Sequence, residues 1–315
     1  MTPPAVVVEE LSHRFGSTTA LEAISLRVDE AELFGLVGPD GGGKTTLFRI
    51  LATLLVPTAG RATVLGADVV RDLWTLRERV GYMPGRFSLY GDLSVEENLQ
   101  FFAAVFGTTV AEGRETIAPI YRQIEPFRDR RAADLSGGMK QKLALCCALV
   151  HRPRILLLDE PTTGVDAVSR QEFWDLLDTL RADGLTIVVS TPYMDEAARC
   201  DRVGLLQAGR ILALDAPGNL GALFPRPLFA IRSARRMPLL QALRNLPHVA
   251  SALPFGETVH YSDARGDRAP EAILHDVVAA LHEAGIEDAT GRVIPPGIED
   301  VFIELMGTEP AEAAA

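Results

Sequence analysis

Four short runs near the start of the chain are rich in β-branched and aliphatic residues: Ala5 to Val8, Ile24 to Val28, Leu33 to Val37 and Ala62 to Leu65. Each has the length and boundaries of a strand. Two further runs, Ile155 to Leu158 and Thr186 to Ser190, are apolar almost without interruption, as parallel strands covered on both faces should be. Between them Phe173, Leu176, Leu177 and Leu180 fall on one stripe of a predicted helix over 167–180. Strand, helix, strand alternation predicts a parallel α/β core.

Pro217, Gly218, Gly221, Pro225 and Pro227 fall within eleven residues and predict a linker. Beyond it the pattern predicts strands over 229–231, 249–253, 258–261 and 288–294, with helices over 238–246 and 270–284 and a last helix over 298–305. That order is a split β-α-β of the ferredoxin-like kind with a helix added. Residues 308–315 read as a frayed tail.

With 315 residues, 31 Lys+Arg against 42 Asp+Glu and a net charge of −11, the chain lacks the basic footprint of a nucleic-acid binder. Its 47% hydrophobic and 23% charged content suits a globular protein with a proper core. The longest purely apolar run, Leu143 to Val150, is far short of the roughly 18–20 residues that span a bilayer. No membrane crossing is expected, and Met1-Thr2-Pro3-Pro4 lacks the basic start of a secretory signal. Three cysteines, with Cys146 and Cys147 adjacent, make no disulfide framework and point to a reducing cytosol.

The run Leu33 to Val37 leads straight into Gly38-Pro39-Asp40-Gly41-Gly42-Gly43-Lys44-Thr45-Thr46, after which Leu47-Phe48-Arg49-Ile50-Leu51 opens an apolar helix. This is G-x-x-x-x-G-K-[ST] in its strand, loop, helix setting, a phosphate loop. Glycines let backbone N–H groups curl around a β-phosphate, Lys44 brings charge to the β and γ oxygens, and the Thr45 hydroxyl can ligate magnesium. The bland alternative is a glycine-rich turn with a solvated lysine, and chance produces the motif in about one per cent of chains this size. Ile155 to Leu158 ends in Asp159-Glu160, where ligands bind at the carboxyl ends of parallel strands. Asp159 is assigned to magnesium and Glu160 to the attacking water.

Between these elements lies Leu135-Ser136-Gly137-Gly138-Met139-Lys140-Gln141, a turn that opens a helix, 23 residues before Asp159. Here the chain resembles the nucleotide-binding subunits of ABC transporters. The resemblance continues through Thr163-Gly164-Val165-Asp166 and through Phe15, an aromatic where adenine would stack. Pro296-Gly297-Ile298-Glu299-Asp300-Val301-Phe302 resembles the ending of type-two drug and polysaccharide exporters of the family.

The resemblance implies an ABC-type P-loop NTPase of about residues 1–220, α/β with an antiparallel β subdomain and a helical subdomain near 86–150, followed by an α+β domain at 228–307. ATP and Mg2+ are the implied cofactors. Two such subunits would meet head to tail, Ser136, Gly137 and Gly138 contacting the γ-phosphate on the partner's loop and Asp166 lying at the interface. The implied partners are integral membrane permease subunits, met by Arg86 to Leu93, at the cytoplasmic face of the inner membrane.

Two positions depart from the family pattern. Gly85 stands where a glutamine is usual, and Pro192, with neither a ring nitrogen nor a backbone N–H, stands where a histidine is usual. Together they suggest a site that binds ATP and turns it over slowly, in a heterodimer whose second ATP-binding subunit carries the fast site. A purely regulatory nucleotide sensor and a non-transport ABC ATPase are the competing readings. Cys146, Cys147, His275, His282 and the cluster Arg128, Arg130, Arg131 are read as structural or solvated.

Overall fold

A computed structural model gives the fold and describes residues 4–85, 89–266 and 268–308. The chain divides into two compact units, one up to Pro217 and one from Gly218.

In the first unit, β1 (Pro4–Phe15) and β2 (Thr18–Asp29) form a hairpin that pairs with β4 (Ala59–Val64) and β5 (Ala67–Asp68) in an antiparallel sheet ordered β2-β1-β4-β5. The two hairpin strands are 12 residues each, far longer than the apolar runs predicted. Polar residues alternate along a half-exposed face, and Glu10 and Ala23 take positive φ at breaks in register, so the period of two is lost halfway.

The central sheet has the order β10-β9-β3-β8-β7-β6, from β3 (Leu33–Val37), β6 (Val80–Met83), β7 (Ile155–Asp159), β8 (Thr186–Thr191), β9 (Arg202–Gln207) and β10 (Arg210–Asp215). All neighbours are parallel except β10, which pairs antiparallel at the edge. β3, β7 and β8 are buried along their whole length. Their register sets Val37 beside Thr191 and Asp159 beside Ser190, so three strand ends open at one place.

Against these sheets lie α1 (Lys44–Leu51), α2 (Leu73–Arg77), α6 (Ala167–Ala182) and α7 (Met194–Ala197). A helical layer consists of α3 (Val95–Val105), α4 (Val110–Ile124) and α5 (Gly137–Leu149). Ser94 with Glu97 and Thr109 with Glu112 form capping boxes that satisfy the first N–H groups of α3 and α4. Cys146 and Cys147 lie buried in α5, and burial pushes both thiols up, away from reactivity.

The expected linker is partly helical: α8 (Pro217–Leu220) is followed by a 3-10 turn over Gly221–Leu223, since proline suits a first helical turn. The second unit then runs β11 (Leu228–Arg232), α9 (Arg236–Arg244), β12 (Val249–Phe255), β13 (Thr258–Asp263), α10 (Pro270–Glu283), β14 (Thr290–Ile294) and α11 (Ile298–Thr308). Its antiparallel sheet is ordered β12-β13-β11-β14, the ferredoxin-like topology the pattern predicts. Phe229, Leu239, Leu243, Tyr261, Ile273, Val277 and Leu281 share its core. α11 reaches Thr308, the residue at which a frayed tail is expected; 309–315 lie outside the described residues. Among the described residues no helix is long and apolar enough to cross a membrane.

Candidate nucleotide site

β3 delivers the chain into the loop 38–43, where backbone runs against backbone. A Cβ at Gly38 would lie 2.0 Å from the Leu206 carbonyl oxygen, and one at Gly43 would lie 2.5 Å from that of Ala20. Gly43 also has φ 106°, a left-handed value that disfavours any side chain. Pro39, Asp40 and Gly41 are exposed on the outer curve, and Gly42 N donates to Pro39 O at 3.1 Å. No side chain caps the first turn of α1 and no acidic residue lies in it, so its N–H groups are free to meet an anion.

Lys44 is only 3% exposed. Its ammonium donates to Gly38 O at 2.8 Å and Pro39 O at 2.9 Å and pairs with Glu160 Oε1 at 3.1 Å. Asp159, 2% exposed, accepts from Ser190 Oγ at 2.7 Å and from the Thr45 hydroxyl. Burial pushes the Asp159 carboxyl up, and the adjacent Glu160 adds to this; the Ser190 and Thr45 hydroxyls and the Lys44 charge act the other way. The same burial, with the Asp159 charge, pushes the Tyr82 phenol up to about 12. Glu160 follows with φ 49°, a strained value for a glutamate, pinned by its N–H to Ser190 Oγ at 2.9 Å.

The other predicted residues take distinct places. Thr46 is half-buried in the first turn of α1. Phe15 is 50% exposed at the end of β1, edge-on to His13 with centroids 4.5 Å apart. Gly85 lies against β7: a Cβ there would stand 2.9 Å from Asp159 O. Pro192 is half-buried just past β8. Ser136 is the N-cap of α5, its Oγ accepting from Met139 N at 3.3 Å, and Leu135 is buried beneath it. Gly138 meets α6 so closely that a Cβ would lie 2.5 Å from Ser169 Oγ. Asp166 caps α6 by accepting from Val168 N at 3.1 Å and Ser169 N at 3.0 Å. Of the segment 86–93, residues 86–88 lie outside the described residues, while Leu89 is buried and Tyr90 exposed.

Two constellations result. Lys44, Thr45, Asp159 and Glu160 converge at the strand ends, while Ser136, Gly138, Asp166 and Ser169 form a second group around the start of α5. Sequence reading missed Ser190, which holds both Asp159 and the Glu160 backbone. Its one available signal was a polar residue closing an otherwise apolar strand.

The family model described as ABC transporter matches residues 21–163. The Nod factor export ATP-binding protein I of Rhizobium sp. (strain N33) is 35% identical over 319 residues, spanning 98% of this chain and 99% of that protein. The chain belongs to the ABC transporter ATP-binding proteins. A probable multidrug ABC transporter ATP-binding protein of Escherichia coli (strain K12) is 44% identical over 228 residues, which is 70% of this chain but only 39% of that relative. Among solved structures, a dimeric ATP-binding cassette in a post-hydrolysis state with ADP and Pi is 26% identical with a TM-score of 0.60, over 67% of this chain and 98% of that one.

ATPase chemistry in this ABC family needs hard oxygen donors beside the lysine. The Thr45 hydroxyl and the Asp159 carboxylate lie together beside Lys44, and such a pair fits magnesium, which commonly takes one or two carboxylates plus phosphate oxygens. Among the described residues no cluster of three or more His, Cys, Asp or Glu side chains is placed to hold a metal.

Proposed function

We propose that this chain is the energy-coupling subunit of an exporter, binding MgATP at its 38–46 loop and driving transport through separate permease subunits at the cytoplasmic face of the membrane. The convergence of Lys44, Thr45, Asp159 and Glu160 on a glycine-walled loop carries the reading. Lys44 would turn from the Gly38 and Pro39 carbonyls to the β and γ oxygens, while exposed Phe15 offers a face to adenine. Glu160, released from Lys44, would orient and deprotonate the attacking water. Thr45 and Asp159 would hold magnesium, which supplies neutralising charge at the phosphates.

Ser136 and the first N–H groups of α5 would bind the γ-phosphate on a second ATP-binding subunit, with Asp166 beside them, as helix-end polarity favours. The dimeric relative supports that arrangement, and the transport and export functions in the relatives' names support the exporter reading. A groove of about 380 Å³ has Leu54, Met83, Phe102, Val105 and Phe106 on its walls together with Leu89. It supports a permease contact there, Val105 and Leu54 being well exposed.

Pro192 offers no donor to a γ-phosphate, and Gly85 has no side chain to reach the water, so this site turns over slowly and the second subunit is a different chain. The test is steady-state ATPase activity of the purified chain at a dimerising concentration, with Glu160→Gln as the blank. Tight ATP binding with turnover near the blank is expected. Turnover well above it would refute the slow site and favour a homodimer. The regulatory reading is favoured instead if Glu160→Gln leaves the activity of the assembled complex unchanged.

A further inference from the structure

Glu196 in α7 is 3% exposed, and nothing in the nucleotide chemistry above uses it. Its carboxylate gathers donors from three segments. Oε1 accepts from Thr162 Oγ1 at 2.6 Å, in the loop that leaves Glu160. Oε2 accepts from Thr191 Oγ1, the residue before Pro192, and that hydroxyl oxygen in turn accepts from Tyr193 N at 3.0 Å. The Arg170 guanidinium lies 3.8 Å from Oε1, 3.4 Å from Asp195 and 4.9 Å over the Tyr193 ring. Thr162 and Thr191 are as buried as Glu196 itself.

A buried carboxylate is costly unless its donors stay in place, so these three segments are bound to move together. Arg170 lies in the first turns of α6, beside the Ser169 that presses on Gly138. Pro192 cannot tether its loop through an N–H, which leaves the tethering to Thr191 and Tyr193.

We propose that Glu196 is a positioning residue that locks the loop after Glu160, the loop carrying Pro192 and the start of α6 into one unit, so that nucleotide at the phosphate loop is felt in all three. This rests on the nucleotide reading above. Glu196 touches no reacting group and acts through Thr162, Thr191 and Arg170.

The test is hydrogen exchange of the full chain with and without MgATP, for the unmodified protein, Glu196→Ala and Glu196→Gln. Glutamine can keep both threonine contacts, accepting from one hydroxyl and donating to the other. In the unmodified protein, MgATP is expected to slow exchange at 38–46, 160–166 and 190–197. In Glu196→Ala, protection at 38–46 persists to within about twofold, while 190–197 exchanges about tenfold faster and no longer responds to nucleotide. Glu196→Gln restores both rate and response to within about threefold.

A folded Glu196→Ala protein in which 190–197 still responds to nucleotide overturns the proposal. So does equal loss of protection in all three segments in both variants, which would mark general loosening. If Glu196→Ala does not fold, Thr162→Val removes one arm, and an unchanged response at 190–197 in that variant also overturns it. If MgATP leaves 38–46 unprotected in the unmodified chain, the nucleotide reading fails instead. The lock is then decided by whether Glu196→Ala loosens 160–166 and 190–197 together without nucleotide.

Discussion

Replacing Gly138 by alanine puts a methyl group 2.5 Å from Ser169 Oγ and 2.6 Å from Ser169 Cβ. Carbon atoms pack at about 3.5–4.0 Å, so α5 and α6 have to separate by about 1 Å where their first turns meet. Rotating the serine moves only its oxygen; the Cβ stays. Overpacking of this size costs about 1–3 kcal/mol, offset by about 1 kcal/mol from the better helix propensity of alanine. The net loss is about 0–2 kcal/mol. Ser169→Gly removes both clashing atoms at its own cost of about 1 kcal/mol, so the double variant should lose about 1–3 kcal/mol less than the two single losses combined. Ser169→Ala, which keeps the Cβ, should not rescue. Urea unfolding followed through Trp174, buried in the same helix, reads the unmodified protein, the three single variants and the two double variants. A coupling below about 0.5 kcal/mol, or rescue by Ser169→Ala as good as by Ser169→Gly, refutes the close approach as the reason for glycine at 138.

Ser136→Arg is expected to leave ATP binding at this chain's own loop intact and to stop hydrolysis at the partner's site; nucleotide titration beside ATPase assay of the assembled pair separates the two. Pro192→His should raise this site's turnover about tenfold by supplying a ring N–H to the γ-phosphate, and no gain in single-turnover assays would place the slowness elsewhere. Gly85→Gln has to displace the Asp159 carbonyl and should lower stability by about 1–3 kcal/mol, seen as a lower urea midpoint. In the second unit, burial pushes the Asp263 carboxyl up, but hydrogen bonds from Arg265 and Tyr261 outweigh it and leave the group below its ordinary value. A depressed carboxyl stabilises the fold above its unfolded value, about 4, and that stability is lost as pH falls through the folded value. Asp263→Asn should therefore flatten the acid limb of the stability profile, and an unchanged limb would count against the Arg265 pairing.

The 38–46 loop was legible because its geometry is local: strand, glycines, lysine and helix lie within twenty residues, and Lys44 meets Gly38 and Pro39 five or six positions away. Asp159 was legible too, as a carboxylate ending an apolar run. The long hairpin was not, since bulges at Glu10 and Ala23 break its alternation. β10 was passed over because it is a half-exposed edge strand in which apolar and polar residues mix, and β9 because its buried stretch is only four residues long and begins with Val203-Gly204.

By itself the sequence determined the parallel core, the ferredoxin-like order of the second unit and the glycine-rich loop that runs from a strand into Lys44 and a helix, because periodicity and motif spacing are properties of neighbouring residues. Tertiary structure alone decided that Ser190 holds Asp159 across 31 positions and that Glu196 binds Thr162 across 34. It also decided that Gly85, read first as a lost glutamine, stands where a Cβ would press on the Asp159 carbonyl. Burial of a carboxylate and the clearance around a glycine are set by atoms that only folding brings together, and no local pattern records them.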